Sequence, residues 1–272
     1  MGARRVIREV LPGIHWIQEC GPDRQDLAPG PDGGDAGWNV PGRPIHVPQN
    51  AYLVRGERTL LLDTLSPAGT HQILPDLDAA LGGRQLDFLV VSHPDVPHAG
   101  NTATILRRHP GAQLVAPAMG HTHALYHLED ARKVAPGDRI DLGGLSVVFE
   151  EATFLDAPLS IWMREEMSNT LFTVDWLGFP HLGGECLRCV EELDADITPG
   201  RLIAFHARVM FWLQYVDVVK TQSEIDRLIR NRAPDAIAPS HGLVIRAGAT
   251  DLMARMKEVV AQIASGGRLG VL

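Results

Sequence analysis

The chain has 272 residues, 45% of them apolar and 21% charged, a balance that excludes a mainly disordered polypeptide. A formal charge of −8 argues against nucleic acid or an anionic membrane surface as the partner. Three cysteines are too few for a disulfide framework, which points to a cytoplasmic protein, and twelve histidines point to metal binding or proton transfer.

Residues 1–10 carry arginines without an apolar core, and no apolar run approaches the roughly 20 residues of a membrane span. Neither a signal peptide nor a spanning helix is therefore expected. Alternation over 6–19 predicts one or two short strands, and the proline- and glycine-crowded stretch 21–48 predicts a long irregular loop. Apolar runs at 50–54 and 59–63, separated by Arg55-Gly56-Glu57, predict a hairpin. A helix over 74–81, a buried strand over 87–91, a helix over 102–108 and a strand over 113–115 follow. A further helix is expected through His121, His123 and His127. The turn-rich segment 137–144 leads into a strand over 145–149, and the strand 170–174 ends at Asp175. The last third is helical apart from a short apolar strand over 236–238. Without repeats or a linker, the pattern predicts a single α/β domain over 1–272 with αββα layering.

Three strand ends carry the chemistry. The strand at 87–91 runs into His93, Asp95 and His98, with Pro94 and Pro97 stiffening the backbone between them. Closely spaced imidazole and carboxylate groups on a rigid loop suit a divalent ion, because less order is lost on binding. The strand at 170–174 delivers Asp175, and the strand at 236–238 delivers His241 within Pro239-Ser240-His241-Gly242. His98, Asp175 and His241 then form a set of two histidines and one carboxylate with open coordination positions.

These segments resemble the metallo-β-lactamase superfamily, and within it the flavodiiron, oxygen-binding diiron branch. That branch carries His-x-Glu-x-Asp-His where this chain has His93, Asp95, Pro97 and His98. The similarity extends to Asn50–Val54 with Asp63-Thr64, to Leu171–Gly178 and to Ile237–Gly242, so it spans about 5–265. It implies an αββα sandwich with His93 and Asp95 on one metal, His98 and His241 on a second, and Asp175 bridging. Two positions depart from the pattern. Pro97 stands at an aspartate ligand, and a gapless match puts Ile161 at a histidine ligand. The implied cofactor is iron or zinc, as one or two ions.

The expectation drawn from this set is a metal-dependent hydrolase of a small organic substrate, using metal-activated water, with Asp95 and Asp175 as catalytic carboxylates. One alternative is a non-haem iron protein that binds or reduces O₂ or NO, as in the similar branch. Another is a weakly or non-catalytic subunit paired with a paralogue. A homodimer or a hetero-oligomer with a paralogue is expected, with a small-molecule substrate and neither nucleic acid nor membrane as partner.

Other features receive plainer readings. His121, His123 and His127 read as surface or pocket-wall residues, and Cys186 and Cys189 as two buried thiols on a helix face. Glu165 and Glu166 lie where the lost histidine is sought and read as a solvated charge pair. The aromatic stretch 207–219 reads as one helix in the core or a subunit interface, and the resemblance implies His206, Trp212 and Tyr215 as pocket walls. Gly33-Gly34 and Gly143-Gly144 lack any nucleotide-binding pattern.

Overall fold

The computed structural model describes residues 7–27, 38, 40–118 and 131–266. Its strands and helices run, in chain order, β1 (Ile7–Leu11), β2 (Ile14–Cys20), β3 (Ile45–His46), β4 (Pro48–Arg55), β5 (Thr59–Leu62) and α1 (Thr70–Leu81). Next come β6 (Phe88–Val90), α2 (Val96–Ala99), α3 (Thr102–Arg108), β7 (Gln113–Pro117), β8 (Arg132–Val134), β9 (Arg139–Asp141) and β10 (Ser146–Glu151). The rest are β11 (Ile161–Glu165), β12 (Thr170–Val174), β13 (His181–Leu182), α4 (Pro199–Val209), α5 (Val218–Arg232), β14 (Ala236–Pro239) and α6 (Ala249–Ser265).

Two sheets pack face to face. One has the order β1-β2-β4-β5-β6-β7-β8, and the other β14-β12-β11-β10-β9. Their strands are apolar on both faces, and the period of two sorts the side chains between layers. Tyr52, Val54, Leu60, Leu62 and Val90 point into the space between the sheets, with Phe149, Trp162 and Phe172. Leu53, Leu61 and Leu89 point the other way, onto Ile73, Leu77 and Ile105 of α1 and α3. Leu202, Ile225, Met256 and Val260 of α4, α5 and α6 belong to the same core as the second sheet. This is the αββα sandwich that the sequence implies.

Several expectations need correction. The stretch 186–189 lies in turns, so Cys186 and Cys189 share no helix face. The segment 207–219 is broken: α4 ends at Val209, a 3-10 turn covers Phe211–Tyr215, and α5 begins at Val218. Strands β8, β9 and β11 are short or charge-bearing and escape a hydropathy reading. The histidines at 121, 123 and 127, with most of the loop tip at 28–39, lie outside the described residues. Among the described residues, no helix is long and apolar enough to cross a membrane.

The edge that matters is where β5, β6, β12 and β14 all end at their C-termini. Pairing in β5–β6 and β12–β14 is parallel, so these ends lie together within each sheet. Asp63, Ser92-His93, Asp175 and Ser240-His241 follow directly from them.

Candidate metal centre

Each histidine at this edge has one ring nitrogen tied back into the fold and the other turned toward Asp175. His98 Nδ1 donates to Asp63 Oδ2 at 2.7 Å, which leaves Nε2 3.5 Å from Asp175 Oδ2. His241 Nδ1 donates to the Pro48 carbonyl at 2.7 Å, which leaves its Nε2 3.2 Å from Asp175 Oδ1. His93 Nδ1 lies 3.3 Å from Ser92 Oγ, and its Nε2 is 3.5 Å from Asp175 Oδ2. The three rings and the carboxylate are all buried.

Asp63 organises this set from behind. Its Oδ1 accepts from the Ser92 N–H at 2.9 Å, and its Oδ2 accepts from Ser92 Oγ and Ser240 Oγ, both at 3.0 Å. One carboxylate therefore joins the ends of β5, β6 and β14. Asn50 adds a second tie, its amide donating to the carbonyls of Pro239 and Gly242 on either side of His241.

Local backbone geometry explains the spacing. Asp95 is the N-cap of α2 but its side chain makes no capping bond, and Pro97 sits in the first turn, where a missing N–H costs nothing. That single turn carries His98 inward and leaves the Asp95 carboxylate on the rim, half exposed and 3.9 Å from His93 Nε2. Val174, just before Asp175, has a φ of 56°, a strained value for a β-branched residue. Its carbonyl accepts from the Ser240 N–H at 2.7 Å, which locks the turn that presents Asp175. Gly178 must be glycine: a Cβ there would lie 2.5 Å from the Phe205 ring and 2.7 Å from the His241 carbonyl.

Burial and charge oppose each other here. Burial would push the Asp175 carboxyl up, but His98 and His241 hold it well below the usual carboxylate range. Burial likewise works against a charged His98, yet Asp175 and Asp63 raise its pKa well above that of a free imidazole. A proton on His98 and a cation near Asp175 are thus alternative ways to neutralise the same cluster.

The structure brings together His93, His98, Asp175 and His241 and leaves Asp95 at their edge. It also supplies a carboxylate that the sequence reading missed. Asp156 Oδ2 lies 3.6 Å from His93 Nε2, and donor atoms of His93, Asp95 and Asp156 all fall within 4.8 Å of one another. Ile161, by contrast, belongs to β11 and packs in the core, so the gapless match pointed to the wrong residue. Moving the match five residues toward the N-terminus finds Asp156. Pro97 does line the pocket and offers no donor.

The Asp156 loop is braced by the aromatic stretch. Trp212 Nε1 donates to the Leu155 carbonyl at 2.9 Å, and Phe154 stacks on Trp176 at 5.1 Å. His206 is a structural residue: Nδ1 donates to the Leu202 carbonyl and Nε2 accepts from the Leu177 N–H. Glu165 accepts from the backbone N–H groups of Met167 and Ser168, and Glu166 pairs with Arg139, so neither serves the site. Tyr215 is exposed.

His206 gives a pH-dependent outcome. Burial pushes its imidazole down to about 4, so protons bind the unfolded chain first as pH falls below 6.5. Its contribution is complete above that value and lost toward pH 4. Between pH 7 and pH 5 the native protein should lose about 2 kcal/mol through this residue. Urea unfolding at both pH values should show that loss, and His206→Gln should remove it.

Three buried polar atoms in the cluster have no hydrogen-bond partner among the described residues: His93 Nε2, Asp156 Oδ1 and Asp175 Oδ2. Orphaned imidazole nitrogen and carboxylate oxygen facing one space is what a cation site requires and what a polar core avoids. Residues and chemistry therefore fit a divalent metal. Beside them opens a cavity of about 330 Å³, walled by Pro22, Val47, Phe205 and Val209 with Arg24 at its lining.

A metallo-beta-lactamase superfamily model matches residues 45–196, more than half of the sequence. The chain belongs to that superfamily. It is 26% identical over 212 residues to an anaerobic nitric oxide reductase flavorubredoxin of Aliivibrio salmonicida, covering 75% of this chain and 41% of that protein. It is 27% identical over 250 residues to a nitric oxide reductase of Moorella thermoacetica, covering 87% of this chain and 57% of that one. In structure it resembles the rubredoxin oxygen:oxidoreductase of Desulfovibrio gigas, with a TM-score of 0.72 at 21% identity, covering 94% of this chain and 61% of that one. The chain thus spans about half the length of the curated relatives it matches.

These relatives overturn the expectation of hydrolysis. The two sequence relatives are named as a nitric oxide reductase flavorubredoxin and a nitric oxide reductase, not as hydrolases. The hydrolase reading is withdrawn.

Proposed function

We propose that this member of the superfamily is an oxidoreductase component that binds or reduces O₂ or NO at a non-haem iron centre. One observation carries the reading: three buried histidines and Asp175 converge while His93, Asp156 and Asp175 each keep an unpartnered donor atom. The names of the sequence relatives supply the reaction class.

His93, Asp95, Asp156 and Asp175 would hold one iron, and His98, His241 and Asp175 a second. Bound iron supplies a redox-active centre with open positions for a diatomic ligand. The first set has four donors and the second three, because Pro97 contributes none. An iron on the His93 side would therefore be the more tightly held.

The chain's own groups do the remaining work. Asp63 and the Pro48 carbonyl accept from Nδ1 of His98 and His241, so both rings would offer Nε2 to a bound metal. Val47, Phe205 and Val209 give the cavity apolar walls that suit a small uncharged gas. The half-exposed Asp95 links the rim to solvent and can pass protons inward. Electrons come from a flavin or rubredoxin-type centre, on this or another polypeptide, as the relatives' names indicate.

Iron analysis together with anaerobic NO-consumption and aerobic O₂-consumption assays, using a chemical reductant and mediator, tests the reading. Between one and two irons per chain with reductant-dependent loss of either gas is expected. Iron-loaded protein that consumes neither gas would refute it.

A further inference from the structure

A second cluster of metal-ligating side chains lies apart from the carboxylate centre, and nothing in the proposed reaction uses it. Antiparallel pairing of β3 with β13 sets His46 directly opposite His181, their rings edge to face with centroids 5.4 Å apart. The β2–β4 register puts Cys20 opposite Pro48, two residues from His46. The turn after β13, through Gly183-Gly184, returns the chain so that Cys186 faces the same point. Four residues from four separate stretches thus converge, with one donor atom from each inside a 4.8 Å span.

We propose that Cys20, His46, His181 and Cys186 form a structural zinc site. The donor set is two sulfurs and two imidazoles, the tetrahedral combination that selects zinc. Zinc bonds of about 2.3 Å to sulfur and 2.0–2.1 Å to nitrogen set sulfur–nitrogen edges of about 3.5 Å. The corresponding distances are 3.4 Å for Cys20 Sγ to His181 Nε2, 3.4 Å for Cys186 Sγ to His181 Nε2 and 3.6 Å for Cys186 Sγ to His46 Nδ1. The sulfurs are closer, 2.9 Å apart, with the Cys20 thiol donating to Cys186. An ion between them replaces that proton and parts the sulfurs by less than about 1 Å, to the tetrahedral edge. On binding, Cys20 releases to solvent the proton it shares with Cys186 and the imidazoles bind neutral, so two thiolates cancel the ion's charge. No further counter-ion is needed at this partly buried position.

The site has an evident structural consequence. Cys20 is followed by Gly21 and Pro22, and His46 by Val47, and all three successors line the cavity beside His241. Pro48, whose carbonyl orients His241, is two residues from His46. An ion here clamps the end of β2, the β3–β13 ribbon and the 183–186 turn, and so fixes one wall of the cavity. Cys189, the other member of the C-x-x-C pair, lies elsewhere, as the N-cap of a short turn at Val190–Glu192.

Metal analysis of the full-length Asp175→Asn protein separates this site from the iron centre. One zinc per chain is expected to remain, to fall to background on adding Cys20→Ser or Cys186→Ser, and to be unaffected by Cys189→Ser. In the otherwise unaltered chain, Co(II) added in place of zinc should give the thiolate charge-transfer and intense visible bands of a tetrahedral centre. Cys20 and Cys186 should resist alkylation until a chelator is added, which keeps the test valid if the serine variants do not fold. A Cys20–Cys186 disulfide, free reactive thiols with no bound zinc, or zinc retained after both substitutions would each overturn the proposal.

Discussion

Asp175→Asn is expected to empty the iron centre. Among the described residues, Asp175 is the only group whose oxygens approach all three histidines, at 3.5, 3.5 and 3.2 Å. An amide keeps the shape but removes the negative charge, and it presents an NH₂ group to at least one bare imidazole nitrogen. Loss of an outer partner of a ligand costs about 10–100-fold in metal affinity, and loss of a bridging ligand should exceed that. Iron content should fall to background, and gas consumption with it. The proton balance should shift too, because Asp175 is a main source of the raised His98 pKa. With it neutralised, Asp63 alone opposes burial and His98 should lose its proton at lower pH than in the parent, as NMR titration of the metal-free protein would register. Iron retained near the unsubstituted level would remove Asp175 from the centre.

The largest stability loss should follow Trp176→Ala. The Trp176 ring is stacked between Trp162 at 5.2 Å and Phe154 at 5.1 Å and is almost wholly buried. Truncating a buried aromatic costs about 3–5 kcal/mol, since the cavity cannot fully collapse. Two stacked faces vanish together, so the upper half of that range is expected. Function should suffer in parallel. Trp176 follows Asp175, and Phe154 precedes Asp156 by two residues, so the column supports carboxylates on both flanks of His93. Urea denaturation should show the loss, and Trp176→Phe should recover much of it. A variant within 1 kcal/mol of the parent (about the scale of a single aromatic contact) would show that this column does not support the site.

The sandwich was legible in the sequence because its central strands are apolar on both faces and end in chemically distinctive residues. The runs at 59–63, 87–91 and 170–174 required only period and length. Strands β8 and β9 were not legible, because Arg132, Lys133, Arg139 and Asp141 give them the look of turns. In the metal cluster, His93, His98, Asp175 and His241 follow strand ends, where the backbone fixes position. Asp156 lies on a loop between β10 and β11, whose length is free to vary, and a gapless match fails at such places. The Cys20 and Cys186 cluster was illegible for another reason. Its four members lie 26, 135 and 5 positions apart in sequence, and only the β3–β13 and β2–β4 registers with the turn at 183–186 bring them together. Local spacing drew attention to Cys186 with Cys189, a pairing that the fold does not make.

The most direct test is anaerobic loading of the purified protein with ferrous iron, followed by titration with NO under visible and electron-paramagnetic-resonance spectroscopy. Saturable spectral changes at one to two NO per chain are expected, abolished in Asp175→Asn. Ferrous iron that binds to the parent and the variant alike, or a bound iron whose spectrum NO leaves unchanged, would contradict an O₂- or NO-handling iron centre at His93, His98, Asp175 and His241.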